Sequence, residues 1–182
     1  MPIPDRLRPP PVSDAELREY MALCDEIETG LEFREDVPEQ LARWNRRMGR
    51  EFRPSDFRYH GATDRETFVR EALMGSPALV ADLTYPELRA VLEEVSTARL
   101  TEAEQGYYLD WLEANLPGAN VSDLIYWPNE WFADEAMLHA ELTPDQILGY
   151  AMRASGRVLP DAPRDIELPY AMPGRKKKPK GI

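Results

Sequence analysis

The chain has 182 residues, of which 43% are apolar and 30% charged, with a formal net charge of −11. That is room for one ordinary domain or two small ones, with enough apolar content to exclude a disordered chain. No apolar run approaches the roughly 18 residues of a membrane span, Met1-Pro2-Ile3-Pro4-Asp5 lacks the apolar stretch of a signal peptide, and the single cysteine, Cys24, leaves no internal disulfide and no cysteine-based zinc site, so a reducing cytoplasmic home is expected.

Residues 1–12 are proline-rich and read as an extended leader. Ser13-Asp14-Ala15-Glu16 is a capping-box pattern, with Leu17, Tyr20, Met21, Cys24, Ile27 and Leu31 behind it at helical spacing. A second helix follows Val37-Pro38 with Leu41, Trp44 and Met48 as its stripe. After an irregular Arg53–Gly61 segment, Thr63-Asp64-Arg65-Glu66 opens a third, with Phe68, Val69, Ala72 and Leu73. Gly75-Ser76-Pro77 marks a boundary. The pattern then restarts. Thr84-Tyr85-Pro86-Glu87 leads Leu88, Val91, Leu92 and Val95; Thr101-Glu102-Ala103-Glu104 leads Tyr108, Leu109, Leu112 and Leu116; Thr143-Pro144-Asp145-Gln146 leads Ile147, Leu148, Tyr150, Ala151 and Met152. The stretch from Val158, ending in Arg175-Lys176-Lys177-Lys178-Pro179-Lys180, reads as a mobile basic tail. No strand signal competes, so the expected class is all-α.

Between the last two helices of the second half sits Ser122-Asp123-Leu124-Ile125-Tyr126-Trp127-Pro128-Asn129. Ser122 is a candidate N-cap, Asp123 suits the positive end of the helix dipole, and Pro128 stops the turn. So short a helix cannot stand alone. Its aromatics are either buried or bind something, and Asp123 is either a cap-region charge or part of that site. The same slot of the first half holds Ser55-Asp56-Phe57-Arg58-Tyr59-His60, and the order helix, helix, short turn, helix repeats, which points to an internal duplication. The expected divisions are a leader (1–12), a degenerate first module (13–78), a second module (82–157) and a tail (158–182). Charge is uneven: residues 81–150 carry 14 acids against Arg89 and Arg99 alone. Such a block repels nucleic acid and attracts a basic partner, or simply keeps the protein soluble.

At Ser122–Pro128 the second half resembles the colicin and pyocin immunity proteins, small acidic four-helix inhibitors of nuclease bacteriocins, whose short third helix reads Ser-Asp-Leu-Ile-Tyr-Tyr-Pro. Here Trp127 replaces the second tyrosine. The flanking Leu83–Leu88, Thr101–Glu104 and Thr143–Ile147 patterns agree, so the likeness covers about residues 82–157. It implies two tandem four-helix bundles, no enzyme activity, no cofactor and no metal. It also implies an inhibitor whose partner is a basic nuclease toxin domain rather than nucleic acid or membrane, with a monomer favoured. The implied anchors are Asp123, Tyr126 and Trp127. The implied specificity face is Glu102, Gln105, Gly106, Leu109, Asp110 and Glu113. Asp56, Tyr59 and His60 would be a second site. Gly106 leaves a gap where the family places an apolar contact, and the long Asn129–Leu142 connection, with Trp131 and Phe132, leaves open whether the anchors are covered or free.

Other readings are weaker in the residues. His60 and His139 have neither metal nor triad spacing, no glycine-rich phosphate loop appears, and acid pairs such as Glu93-Glu94 look like solvated faces. The alternative to inhibition is a helical interaction or regulatory module that keeps the fold for another partner.

Overall fold

The computed structural model describes residues 2–97 and 99–173. Over these residues the chain is all-α, with eight α-helices, four short 3-10 turns and no strand. The first half holds α1 (Asp14–Glu32), α2 (Pro38–Arg47) and α3 (Arg65–Met74). The second holds α4 (Tyr85–Val95), α5 (Glu102–Asn115), α6 (Val121–Tyr126), α7 (Pro128–Phe132) and α8 (Pro144–Ser155). Among the described residues no helix is long and apolar enough to cross a membrane.

The helices start where short polar side chains take up orphan backbone N–H groups. The Ser13 hydroxyl accepts from the amide of Glu16 at 3.2 Å. The reciprocal half of a capping box forms at α4, α5 and α8, where the amides of Thr84, Thr101 and Thr143 donate to the side chains of Glu87, Glu104 and Gln146 at 2.9–3.0 Å. Two expected caps move, one by a single residue and the other by two. At α3 the cap is Asp64, whose carboxylate accepts from the Thr67 amide at 2.9 Å, because an anion suits the helix dipole better than the Thr63 hydroxyl. At α6 the helix begins at Val121, and Asn120, in the left-handed region at φ 50°, takes the cap position instead of Ser122.

Each half buries its own apolar cluster. In the first, Trp44 is fully buried with the rings of Tyr20, Phe52, Phe57 and Phe68 around it at 5.1–5.9 Å. Offset and edge-to-face ring pairs of this kind add about 0.5–1.5 kcal/mol each to the area they bury. In the second, Leu88, Leu92, Leu112, Leu116, Leu124, Leu148 and Tyr150 fill the centre. The halves meet where α3 lies along α5. Helix lengths differ between them: α1 has 19 residues against 11 in α4, and α2 has 10 against 14 in α5. What repeats is the order of the elements, not their dimensions.

Both terminal segments depart from expectation. The leader is not free. Ile3 and Leu7 are buried in the second half's core, and a 3-10 turn at Asp5–Leu7 aims Arg6 at Glu87 (2.7 and 2.8 Å) and Asp82 (3.0 Å). The segment after α8 is packed as far as it is described. Leu159 is buried, Ile166 and Leu168 lie against Gly149, and the Tyr150 hydroxyl donates to the Tyr170 carbonyl at 2.8 Å while accepting from the Tyr170 amide at 2.7 Å. A side chain at 149 would collide with Ile166 and Leu168, so glycine is what admits this segment. The basic run Arg175–Lys180 lies outside the described residues.

The connection between the halves is also pinned. Buried Asn115 accepts from the Val80 amide (2.9 Å) and donates to the Ala78 and Trp111 carbonyls. Arg157 donates to the Asn115 carbonyl and side chain and to the Val80 carbonyl. Nearly all the hydrogen-bonding capacity of this fully buried amide is thereby used.

Candidate functional site

The short helix α6 is held by one face. Val121 and Leu124 are buried in the second core, which leaves the rest of the helix to point away. Tyr126 is 39% exposed and Trp127 57% exposed. Tyr126 is oriented by its hydroxyl, which accepts from the Gln105 amide at 2.8 Å and donates to the Val95 carbonyl at 3.2 Å. Two bonds fix the ring without burying it, so little side-chain entropy is left to lose on contact with a partner. Asp123 is half-buried in the first turn of α6, and its carboxylate makes no hydrogen bond or ion pair among the described residues. Trp127 caps α6, and its carbonyl accepts from the amides of Glu130 and Trp131 at the start of α7. Pro128 therefore ends one helix and begins the next, the first-turn role its missing N–H allows.

Helix α7 answers how the connection beyond Pro128 runs. Trp131 is buried, with its indole N–H donating to the Ala119 carbonyl at 2.7 Å. Phe132 packs on Trp131, Tyr150 and Tyr170. These rings thus belong to the core side of α6, and Tyr126 and Trp127 stay open to solvent.

The six residues expected on one face of α5 divide between two neighbours. Gln105, Leu109 and Glu113 serve the α6 side: Gln105 positions Tyr126, Leu109 packs on the second core, and the Glu113 carboxylate accepts from the amides of Gly118 (2.6 Å) and Asn120 (3.1 Å). Glu113 thereby holds the loop that launches α6. Glu102, Gly106 and Asp110 serve the α3 side. Glu102 accepts from the Thr63 hydroxyl at 3.3 Å. A Cβ at 106 would lie 2.5 Å from Oε1 of Glu71, so the gap left by glycine is filled by a carboxylate from the other half. Burial pushes the Glu71 carboxyl up from its ordinary range, the charges of Asp110 and Glu102 push the same way, and Arg50 opposes them.

The first half does not present the matching pair of aromatics. Tyr59 is only 8% exposed, stacked on Phe68 at 4.0 Å with its hydroxyl 3.5 Å from the Cys24 sulfur. Burial raises its phenol well above the ordinary value and pushes the Cys24 thiol up to about 12. Asp56 accepts from the Arg53 amide at 2.8 Å, a local turn bond. His60 is exposed, with Nε2 3.1 Å from Glu28. Of the three residues expected to form a second site, Tyr59 is core, Asp56 holds its own turn and His60 alone is exposed, so the set offers no exposed tyrosine. His139 is exposed, and no group of three or more histidine, cysteine or carboxylate side chains suited to a metal ion occurs among the described residues.

Sequence reasoning misses Glu71 and Arg50 because they act on α5 from the other half. The one signal that pointed there was a glycine in mid-helix, which costs roughly 1 kcal/mol against alanine and asks for a reason.

No family model and no solved structure matches the chain. Among known proteins it is similar to the uncharacterized protein YezA of Bacillus subtilis (strain 168), at 37% identity over 60 residues, a stretch covering 33% of this chain and 88% of that protein. With most of that protein's length matched at this identity, the chain belongs to the YezA family.

Proposed function

We propose that the chain is an immunity protein, binding a basic nuclease toxin domain in the cytoplasm and inhibiting it by covering the surface that receives nucleic acid. The observation that carries this reading is the exposure of Tyr126 and Trp127 side by side on a helix whose other face is anchored in the core. Rigid, half-wet aromatics are the profile of a binding hot spot. The unpartnered Asp123 carboxylate beside them offers an acceptor to a cationic enzyme, and the acidic 81–150 block steers its approach. A match that spans a third of this chain but most of the relative's length supports descent from a smaller unit.

The test is a pull-down against a panel of basic nuclease domains, followed by a cleavage assay on any that bind. The expected result is stoichiometric loss of cleavage, with Tyr126→Ala weakening binding by more than ~2 kcal/mol while the melting temperature barely moves. A fall in stability with binding unchanged would sink the assignment of Tyr126 as an anchor.

One observation favours a second reading, in which the fold is an interaction module for a different partner. Helix α3 lies along α5, on the helix that would choose a toxin. Failure of every nuclease in the panel, with capture of a non-nuclease partner that depends on Trp127, would favour it.

A further inference from the structure

We infer that the cleft between α3 and α5 receives a lysine or arginine side chain of the basic partner, so that the partner surface is built by both halves. The inference rests on the reading of a cationic partner given above and adds a second contact to it. The cleft is a cavity of about 300 Å³, room for one long side chain. Phe52, Phe68 and Tyr107 give it apolar walls, and Glu71 and Asp110 give it carboxylates. Such a lining matches a group with an alkyl stem and a cationic head.

Three further observations point the same way. Neither Glu71 nor Asp110 accepts a hydrogen bond or forms an ion pair among the described residues. Arg50, which also lines the cleft, holds its guanidinium carbon 4.2 Å from the centre of the Phe52 ring, so the wall already carries one cation of the chain's own. Gly106 supplies the space, since any side chain there would displace the Glu71 carboxylate. The groups that set the charge of this cleft are Glu71 on α3, Glu102 and Asp110 on α5, and Arg50 on the loop after α2. Burial raises the Glu71 carboxyl most, the charges of Asp110 and Glu102 add to it, and Arg50 opposes them. An incoming cation relieves that repulsion.

The test needs no toxin. The full chain, labelled with ¹⁵N, is titrated with Nα-acetyl-lysine methylamide, with the arginine counterpart, and with the uncharged norleucine counterpart. The expected result is a saturable shift of the Ser76, Gly106 and Tyr107 amides with the two cationic compounds and none with norleucine. Glu71→Gln and Asp110→Asn each weaken it by about tenfold, with the rest of the spectrum unchanged. Equal shifts with norleucine, undiminished shifts in both variants, or loss of binding in Arg50→Ala would overturn the inference. A cleft that binds these compounds while no nuclease binds the chain would leave the inference standing and remove the nuclease reading.

Discussion

Two short segments occupy the same slot in the two halves and share the letters Ser-Asp-x-x-Tyr, yet they turn opposite faces to the solvent. In Pro54–Gly61 the tyrosine goes inward and stacks on Phe68. In α6 the tyrosine goes outward and is held only by its hydroxyl. The cause lies in the neighbours. The first core is organised by aromatic rings around Trp44, and Tyr59 joins them through Phe68. The second core is filled with leucines from α4, α5 and α8, and the small inward face of α6, Val121 and Leu124, completes it without Tyr126. A pattern of letters thus marks a position in the chain order, while the surrounding core decides whether that position is structural or available for binding.

The contrast can be broken by substitution, and the largest effect belongs to the buried member. Tyr59→Ala removes a stacked, buried ring and leaves a cavity, so it lowers the unfolding free energy by about 3 kcal/mol in urea titration. A loss below about 1 kcal/mol would mean the ring is dispensable to the first core. Trp127→Ala is next and acts on a different quantity. It weakens the proposed partner complex by about 2 kcal/mol by calorimetry while shifting stability by no more than about 0.5 kcal/mol.

The junction between the halves gives the third effect. Gly106→Ala should gain less than the ~1 kcal/mol that helix propensity alone allows, because the new methyl meets Glu71. In a Glu71→Ala background the full gain should appear, and a double-mutant cycle measures the difference. Additive values would show that the two residues do not touch in solution. The smallest effect is at the leader. Arg6 and the Thr84 amide and hydroxyl hold the Glu87 carboxyl down at about 2, against an ordinary 4.5. A depressed carboxyl stabilises the fold above its unfolded value and loses that contribution as pH falls. The wild type should therefore lose stability between about pH 4.5 and 2 more steeply than Arg6→Ala. Identical acid limbs in the two stability–pH profiles would remove Arg6 from this role.

Local signals were legible. The caps at Ser13, Thr84, Thr101 and Thr143 and the stripes of α3, α4 and α8 appear in the structure because each depends on residues within one or two turns. Trp111 lies in the same α5 stripe and is open to the same reading. Non-local facts were not legible. Ile3 and Leu7 sit among prolines, and only residues some 80 positions away make them core. Residues 158–173 look like tail by composition, yet Leu159 and the Tyr150–Tyr170 bonds tie them down. The exposure of Tyr126 and Trp127 was one of two outcomes the residues left open, and it is decided by Val121 and Leu124 taking the inward face. The burial of Tyr59 depends on Phe68 and Cys24, which no spacing rule relates to it. At Gly106 the anomaly was visible, but its filler was not.

The way the leader is threaded bears on the order of assembly. During synthesis Ile3 and Leu7 emerge well before the residues that receive them, from Leu83 onward. Arg6 waits likewise for Asp82 and Glu87, 76 and 81 positions later. The first half can gather its rings around Trp44 while translation continues, but its own opening segment has nothing to dock on until the second half exists. Closing so long a loop is an entropic cost met late, after most local structure has formed. A chain stopped before Leu83 would therefore carry an unsheltered apolar segment, and completion of the second half is what quenches it.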